Sequence, residues 1–182
     1  MDLSFLKIKK SKIAGNGIFS DKEIEEGQSI CFLEGELISL DEVIKRCNER
    51  KEEPSDPLGI DNEEYIDLND LSRTFNHSYN PNTFVKNKNE LIALRKIKKR
   101  EEITYDYSTT MDDNEEKIKK AGRTLWSCKC NCGASNCREK IDQFKTIPRE
   151  IQEFYIKNKF MPDFMLKKFK SSIRSILKQP II

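Results

Sequence analysis

The sequence predicts a mainly β protein with short helices and a helical C-terminal tail. Apolar residues from Phe5 to Tyr107 come in short runs cut by Gly, Asn, Asp and Pro, the pattern of brief strands and turns. Helical spacing is confined to a few stretches, the longest of them after Thr146. Between these lies Arg73-Thr74-Phe75-Asn76-His77-Ser78-Tyr79-Asn80-Pro81-Asn82, which holds the only histidine of the chain. Its Asn and Ser side chains bond local backbone and favour turns over regular structure.

Taken in order, Phe5–Lys10 alternates apolar and basic residues, as a half-exposed strand does. Gly15-Asn16-Gly17 allows positive φ and close backbone approach; alone, it reads as a hairpin turn. Asp21 to Gly27 is a polar connection, and Ser29–Leu33 and Glu36–Ile38 are strands broken at Gly35. Ser39-Leu40-Asp41-Glu42 is a capping box. The helix it opens has Val43, Ile44 and Cys47 on its apolar face, runs into the charged stretch Asn48–Glu53, and is stopped by Pro54 and Pro57. Tyr65–Leu68 enters the central loop as a strand. Thr83–Lys86 and Leu91–Leu94 are two more, around the turn Asn87-Lys88-Asn89. Glu102–Tyr107 has strand character and puts Tyr105 and Tyr107 on one face. Asp112–Ala121 places acidic residues first and lysines last, the order that suits a short helix and its dipole. Thr146-Ile147-Pro148 opens a helix with Ile151, Phe154 and Tyr155. Pro162 opens another, with Met165, Phe169, Ile173, Ile176 and Leu177 at helical spacing and Lys167, Lys168, Lys170 and Arg174 riding on it. That apolar stripe is expected to dock on the protein's own core; a membrane surface or a partner is the alternative.

The 182 residues suit one domain, or one domain with a tail. With 36% hydrophobic and 35% charged residues, the core is lean and the surface heavily charged. The 33 basic residues nearly balance 31 acidic ones, leaving +2, so charge gives no global signal for nucleic acid. The basic run Arg95–Arg100 reads as a solvated turn before a nucleic-acid or nuclear-localisation patch. No stretch reaches the roughly 18 apolar residues of a membrane span, and Met1–Lys10 has no signal-peptide core. A reducing, intracellular setting is expected. Four of the six cysteines lie within ten residues, as Cys128-x-Cys130-x-Cys132-x4-Cys137, which in that setting favours metal over disulfides. Cys31 and Cys47 stand alone and read as buried packing residues.

Four of these pieces, in this order, resemble the SET-domain protein-lysine methyltransferases: Gly15-Asn16-Gly17-Ile18-Phe19; Arg73 to Ser78 with Pro81-Asn82; Glu101-Glu102-Ile103-Thr104-Tyr105-Asp106-Tyr107; and Cys130-Asn131-Cys132-Gly133 through Cys137-Arg138. The resemblance runs from about Leu6 to Arg138. It implies small β-sheets in which the Asn76-His77-Ser78 segment is threaded by the chain near Tyr107 in a pseudoknot. It also implies S-adenosylmethionine as methyl donor and a lysine of a histone or other protein as acceptor. By match of motif, Gly15, Asn16 and Gly17 let backbone approach the cofactor, and Asn76 and His77 hold its methionine and adenine parts. Tyr107 is the catalytic tyrosine, and Tyr105 lines the lysine channel and favours mono- and dimethylation. Trp126 falls where the family's C-terminal segment closes over the cofactor; plain packing is the competing reading. The implied division is a SET domain at 1–107 with a variable insert at 39–62, a post-SET-like segment at 108–140, and a helical tail at 141–182.

In the family's post-SET segment three cysteines bind zinc with a fourth from the central loop. Here the position after Asn76-His77-Ser78 is Tyr79, not cysteine, so Cys128 is the substitute that completes Cys130, Cys132 and Cys137; reduced free thiols are the alternative. Arg100 stands where many relatives have glycine. The expected partner is a protein substrate, with no nucleic acid required. The expected place is the cytoplasm or nucleus, or a host cell if the source is microbial. Two readings of other classes compete: a SET-fold interaction module without turnover, and a zinc-dependent nucleic-acid binder. The second is weakened by the balanced charge and by the lack of aromatics among the basic residues.

Overall fold

The computed structural model describes residues 2–49 and 56–176, with side chains to residue 169. The expected helix end at Glu53 and Pro54, and Leu177 of the tail's stripe, lie outside the described residues. So do the side chains of Lys170, Ile173, Arg174 and Ile176.

In chain order the elements are β1 (Leu6–Lys10), β2 (Asn16–Ser20), β3 (Ser29–Phe32), β4 (Gly35–Ser39), α1 (Leu40–Asn48), β5 (Pro57–Asp61), β6 (Glu64–Leu68), β7 (Asn76–His77), β8 (Thr83–Lys86), β9 (Glu90–Ala93), β10 (Glu102–Tyr105), α2 (Glu115–Lys120), β11 (Cys128–Lys129), β12 (Lys140–Ile141), α3 (Arg149–Asn158) and α4 (Asp163–Ile176). They make small sheets in the orders β1-β2-β10-β7, β3-β9-β8 and β4-β6-β5, plus the pair β11-β12. An isolated bridge between Ile24 and Ile97 ties the connections that follow β2 and β9.

Most elements fall where the apolar runs place them. The hairpin of β8 and β9 turns at Asn87, whose φ of 55° lies in the left-handed region that Asn tolerates. Ser39 caps α1, its Oγ accepting the Glu42 N–H at 3.3 Å. The reciprocal half of the capping box is not made, because Glu42 turns to Arg46 and Lys45 instead. Asn114 caps α2, its Oδ1 accepting the Lys117 N–H at 3.1 Å. β5 has no counterpart among the expected strands. Pro57 starts it, a position where proline costs no ladder bond, and Leu58 and Ile60 are buried behind it. Gly35 opens β4 against β6 so closely that a Cβ there would lie 1.8 Å from the Asp67 carbonyl oxygen.

The main core gathers Ile18, Leu33, Val85, Leu91, Ile97 and Ile103, all fully buried, from the facing sheets. A second cluster sits at the C-terminal end. Phe144, Tyr155, Met161 and Met165 are buried there, with Phe160, Phe164 and Phe169 packed around them. The tail rests on the body: the Phe160 ring lies 4.9 Å from that of Phe84, and Tyr155 Oη donates to Asp106 Oδ2 at 2.9 Å. Phe154, expected on the apolar face, is half exposed, its ring 6.0 Å from that of Phe160 and tilted 59° to it.

Candidate active site and cysteine cluster

The two-residue strand β7 pairs in parallel with β10, placing Asn76 opposite Thr104 and His77 opposite Tyr105. The Ser78 N–H continues the ladder to the Tyr105 carbonyl at 3.1 Å. The chain leaving β10 then folds back over the same strand. Tyr107 Oη donates to the Phe75 carbonyl at 2.6 Å, and Tyr107 N–H donates to His77 Nδ1 at 3.1 Å. Residues 75–78 are thus gripped from two sides. Asn82, buried just beyond, fixes the register. Its Oδ1 accepts the Thr104 N–H at 2.9 Å, and its amide donates to Glu102 O at 2.7 Å and Glu101 Oε1 at 3.0 Å.

Asn76 draws the glycine turn into this site. Its amide donates to the carbonyls of Ala14 (3.2 Å) and Asn16 (2.9 Å) and to Glu102 Oε1 (2.8 Å). Glu102 is held in turn by the Ser11 hydroxyl. A Cβ at 17 would lie 2.1 Å from Glu102 Oε1 and 3.0 Å from Asn76 Nδ2, so any larger residue there would displace the carboxylate that holds Asn76. Gly15 has φ +44°, with nothing within 4 Å of where a Cβ would stand. Gly15, Asn16, Gly17 and Asn76 therefore form one half-exposed polar corner. It offers carbonyl oxygens and the Asn76 Oδ1, an acceptor set that fits the ammonium of an amino-acid moiety such as that of S-adenosylmethionine.

On the other side of β10, Tyr105 and Tyr107 stand with ring centroids 4.8 Å apart and a 44° tilt. Both line a cavity of about 480 Å³ with Trp126 and Ser127. Leu40, Val43, Ile44, Cys47, Leu58 and Gly59 close it from α1 and β5. Burial pushes both phenols above their ordinary range, so the hydroxyls stay protonated and act as hydrogen-bonding groups. Asp113 also lines the cavity, but its oxygens already accept from Tyr65 Oη (2.7 Å) and Gln143 Nε2 (2.9 Å).

Behind the threaded strand lie the cysteines. A ring nitrogen of His77 and the Sγ atoms of Cys130 and Cys132 lie within 4.8 Å of one another. Cys137 lies outside that radius, though its thiol acts on both of these cysteines. Cys128 is half-buried beside Trp126 and Tyr107 and is not in the group. No disulfide joins any of the six cysteines. Burial pushes His77 down to about 4, with Asp106 opposing and Arg138 adding to the shift. Burial likewise pushes the Cys130 thiol up to about 12. Cys132 is also raised by burial, but backbone N–H groups of Tyr79 and Ala134 and the adjoining thiols outweigh it and hold it below the thiol range. Tyr79 stands edge-on to His77 at 4.3 Å, carries the Arg138 guanidinium on its ring at 3.7 Å, and donates its hydroxyl to the Lys140 carbonyl.

Two groups at this centre lie inside the quoted motifs but are given no role by the sequence reading. Asp106 is a buried hub that accepts Ser108 N–H, Ser108 Oγ and Tyr155 Oη, with His77 Nδ1 3.6 Å away. Glu102 is the counterpart of Asn76. Each becomes visible only when elements distant in sequence are packed together.

Residues 15–108 match the family model described as SET domain, and the chain belongs to that family. It is 34% identical over 143 residues to the human Histone-lysine N-methyltransferase 2D, covering 71% of this chain and 2% of that one. It is 30% identical over 149 residues to Histone-lysine N-methyltransferase ASHH3 of Arabidopsis thaliana, covering 75% and 38%, and 30% identical over 142 residues to the trr Histone-lysine N-methyltransferase of Drosophila melanogaster, covering 71% and 5%. The chain thus spans a small part of these relatives. A humanized mutant of the Chaetomium thermophilum Polycomb Repressive Complex 2, bound to the inhibitor GSK343, superposes with a TM-score of 0.55 at 27% identity, covering 63% of this chain and 16% of that one. Among the described residues no helix is long and apolar enough to cross a membrane.

Proposed function

We propose that this chain is an S-adenosylmethionine-dependent protein-lysine N-methyltransferase. The observation that carries this is the Tyr105–Tyr107 pair on the wall of one cavity, with Tyr107 also bonded to the threaded segment that holds Asn76. S-adenosylmethionine, when bound, supplies a methyl group on a sulfonium sulfur. The residues that would hold it are Gly15, Asn16, Gly17, Asn76 and His77, with Trp126 closing from the cavity side. What the protein must add is alignment and a neutral amine. Free lysine has a pKa of roughly 10.4, and an aromatic, desolvated channel lowers it by disfavouring the ammonium. The Tyr107 hydroxyl proton is committed to the Phe75 carbonyl. Its oxygen is then left as an acceptor for an amine N–H, which orients the attacking lone pair. The Tyr105 hydroxyl makes no hydrogen bond among the described residues, which leaves it for the amine or a water.

The substrate is a lysine of a histone or of another protein. The insert at 39–62 helps choose it, in keeping with the α1 and β5 residues that wall the cavity. The same reading divides the chain into a SET domain at 1–107, a post-SET-like segment at 108–140 and a tail at 141–182. It gives the segment a structural zinc ion held by the thiolates of Cys130, Cys132 and Cys137 and one further ligand, and it places the protein in the nucleus or cytoplasm.

The test is mass spectrometry of a proteome incubated with the chain and an isotopically labelled methyl donor. Labelled methyllysine, mainly mono- and dimethyl, is the expected product. Tyr105→Phe removes a hydroxyl from the channel and is expected to shift product toward di- and trimethyllysine. Donor binding without any transfer would instead make the chain a non-catalytic module, and dominant trimethyllysine from the unaltered protein would overturn the role given to Tyr105.

A further inference from the structure

We infer that His77, through Nε2, is the fourth zinc ligand of the cysteine cluster, taking the place left by the family's cysteine at position 79. The inference rests on the zinc reading of that segment, and three observations carry it. His77 is the non-cysteine member of the one metal-competent group among the described residues, within 4.8 Å of the Cys130 and Cys132 thiols. Its Nε2 is buried with no hydrogen-bond partner, and the buried Asp106 carboxylate stands 3.6 Å from Nδ1, placed to take the ring proton from that nitrogen. A buried polar atom left alone is costly, and a metal would satisfy it.

The third observation concerns the thiols. Cys130 Sγ accepts the Cys132 N–H at 3.4 Å, and Cys137 Sγ accepts the Glu139 N–H at 3.3 Å. Each of these two sulfurs is thus faced by the amide two residues on, a dipole that favours thiolate. No such amide serves Cys128, because the Cys130 N–H is spent on the Glu139 carbonyl at 2.8 Å. Three thiolates and one imidazole are a common structural zinc set. In a tetrahedron with Zn–S near 2.3 Å the ligand atoms stand about 3.8 Å apart, so the cluster has to contract modestly around the ion.

Coordination at Nε2 puts the imidazole proton on Nδ1. That proton cannot face the Tyr107 N–H, and its natural acceptor is Asp106 Oδ1, now 3.6 Å from Nδ1. Asp106 is held rigidly by Ser108 and Tyr155. The result is a carboxylate–histidine–metal arrangement of the kind that commonly supports ligating histidines. Tyr79 fits the same plan: its ring stands edge-on against the imidazole and keeps it turned to the thiols.

X-ray absorption on the full chain, purified without chelator, is the direct test. The expected result is one zinc per chain, with three sulfurs at about 2.3 Å and one nitrogen at about 2.0–2.1 Å. Cys128→Ala is expected to keep the metal. His77→Ala should weaken binding by more than about 100-fold in competition with a chromophoric chelator, since even outer partners of a ligand cost 10–100-fold. His77→Ala combined with Tyr79→Cys should recover zinc with four sulfurs. Four sulfurs in the unaltered protein, or loss of zinc in Cys128→Ala, would overturn the role of His77 while leaving zinc in place. Absence of zinc altogether would overturn both His77 and the zinc reading. The spectrum of the unaltered chain decides the matter even if the His77 variants fail to fold.

Discussion

The threaded strand Asn76–His77 and the cysteine segment from Cys128 to Ile141 meet at Tyr79, but they are held by different means. The strand sits in a backbone ladder with β10, is crossed by Tyr107, and is braced by Asn82 and Glu102. Its buried side-chain polar atoms find partners inside the protein, save His77 Nε2. The cysteine segment has only the two-residue pair β11-β12 as regular structure. Beyond that it is tied down by side chains: the Tyr79 hydroxyl on the Lys140 carbonyl, Asn136 Nδ2 on the Tyr79 carbonyl at 2.8 Å, and Arg138 over the Tyr79 ring. A backbone ladder is cooperative and fixes the atoms it carries without outside help. A side-chain tether leaves a segment to be completed by something it binds, and local stability differs accordingly.

The largest effect expected is on turnover, in the self-sufficient region. Tyr107→Phe removes the hydroxyl that bridges the Phe75 carbonyl and the cavity. Methyl transfer should fall by about 100-fold or more, the scale of a misaligned reacting group, while calorimetry should still show donor binding through Asn76 and the glycine turn. Retention of most of the turnover would remove Tyr107 from the mechanism.

Next comes Asn82→Ala. It strands the buried Thr104 N–H and the Glu102 carbonyl and releases Glu101. A cost of about 2–4 kcal/mol in urea unfolding is expected, as for buried groups left unpaired. If the ladder held its register without Asn82, the loss would be well under 1 kcal/mol.

Tyr79→Phe sharpens the contrast from the other side. It keeps the ring against His77 and Arg138 and loses only the bond to the Lys140 carbonyl. The cost should be about 1 kcal/mol, that of one hydrogen bond, and local. Hydrogen exchange should quicken across 128–141 and stay unchanged in β7 and β10. Equal loosening of both regions would mean that they open as one unit.

The same contrast governs what could be read beforehand. Most strands and the turn at Asn87 are legible because period-2 patterning and turn chemistry are local; the expected strand through Tyr107 stops short, since β10 ends at Tyr105 and Tyr107 opens a 3-10 turn. The glycine turn, Asn76, His77 and the tyrosines are legible as a set only through their resemblance to a family. β5 was hidden by Pro57, which ends a helix as readily as it starts a strand. Asp106 and Glu102 look like ordinary acidic residues until packing supplies Tyr155, Ser108 and Asn76. The meeting of His77 with Cys130 and Cys132 is hidden more deeply. It joins residues over fifty positions apart through a threading that no periodicity encodes, whereas Cys128 lies two residues from Cys130 and looks the natural fourth thiol.

The smallest effect expected concerns Arg100, in the turn that delivers β10 to the threaded strand. Its φ is +70°, and its N–H donates to the Ser20 carbonyl at 2.6 Å. The backbone there is fixed by the bond to β2 and by Glu101, whose Oε2 accepts the Lys98 N–H at 2.9 Å. An L-residue in the left-handed region costs roughly 1–2 kcal/mol because Cβ crowds the following carbonyl. Glycine removes that cost but loses more freedom on folding, by roughly 0.5–1 kcal/mol. The exposed Arg100 side chain makes no ion pair among the described residues to set against the change. Arg100→Gly should therefore raise stability by about 0.5–1 kcal/mol, a Tm increase of about 1–4 °C for a chain of this size. Turnover should be unaltered, since Asn82 and the ladder already hold β10 in register. A lower Tm would show that the chain's glycine-free turn is supported by contacts of Arg100 itself, and that the backbone-held region leans on side chains more than its ladder suggests.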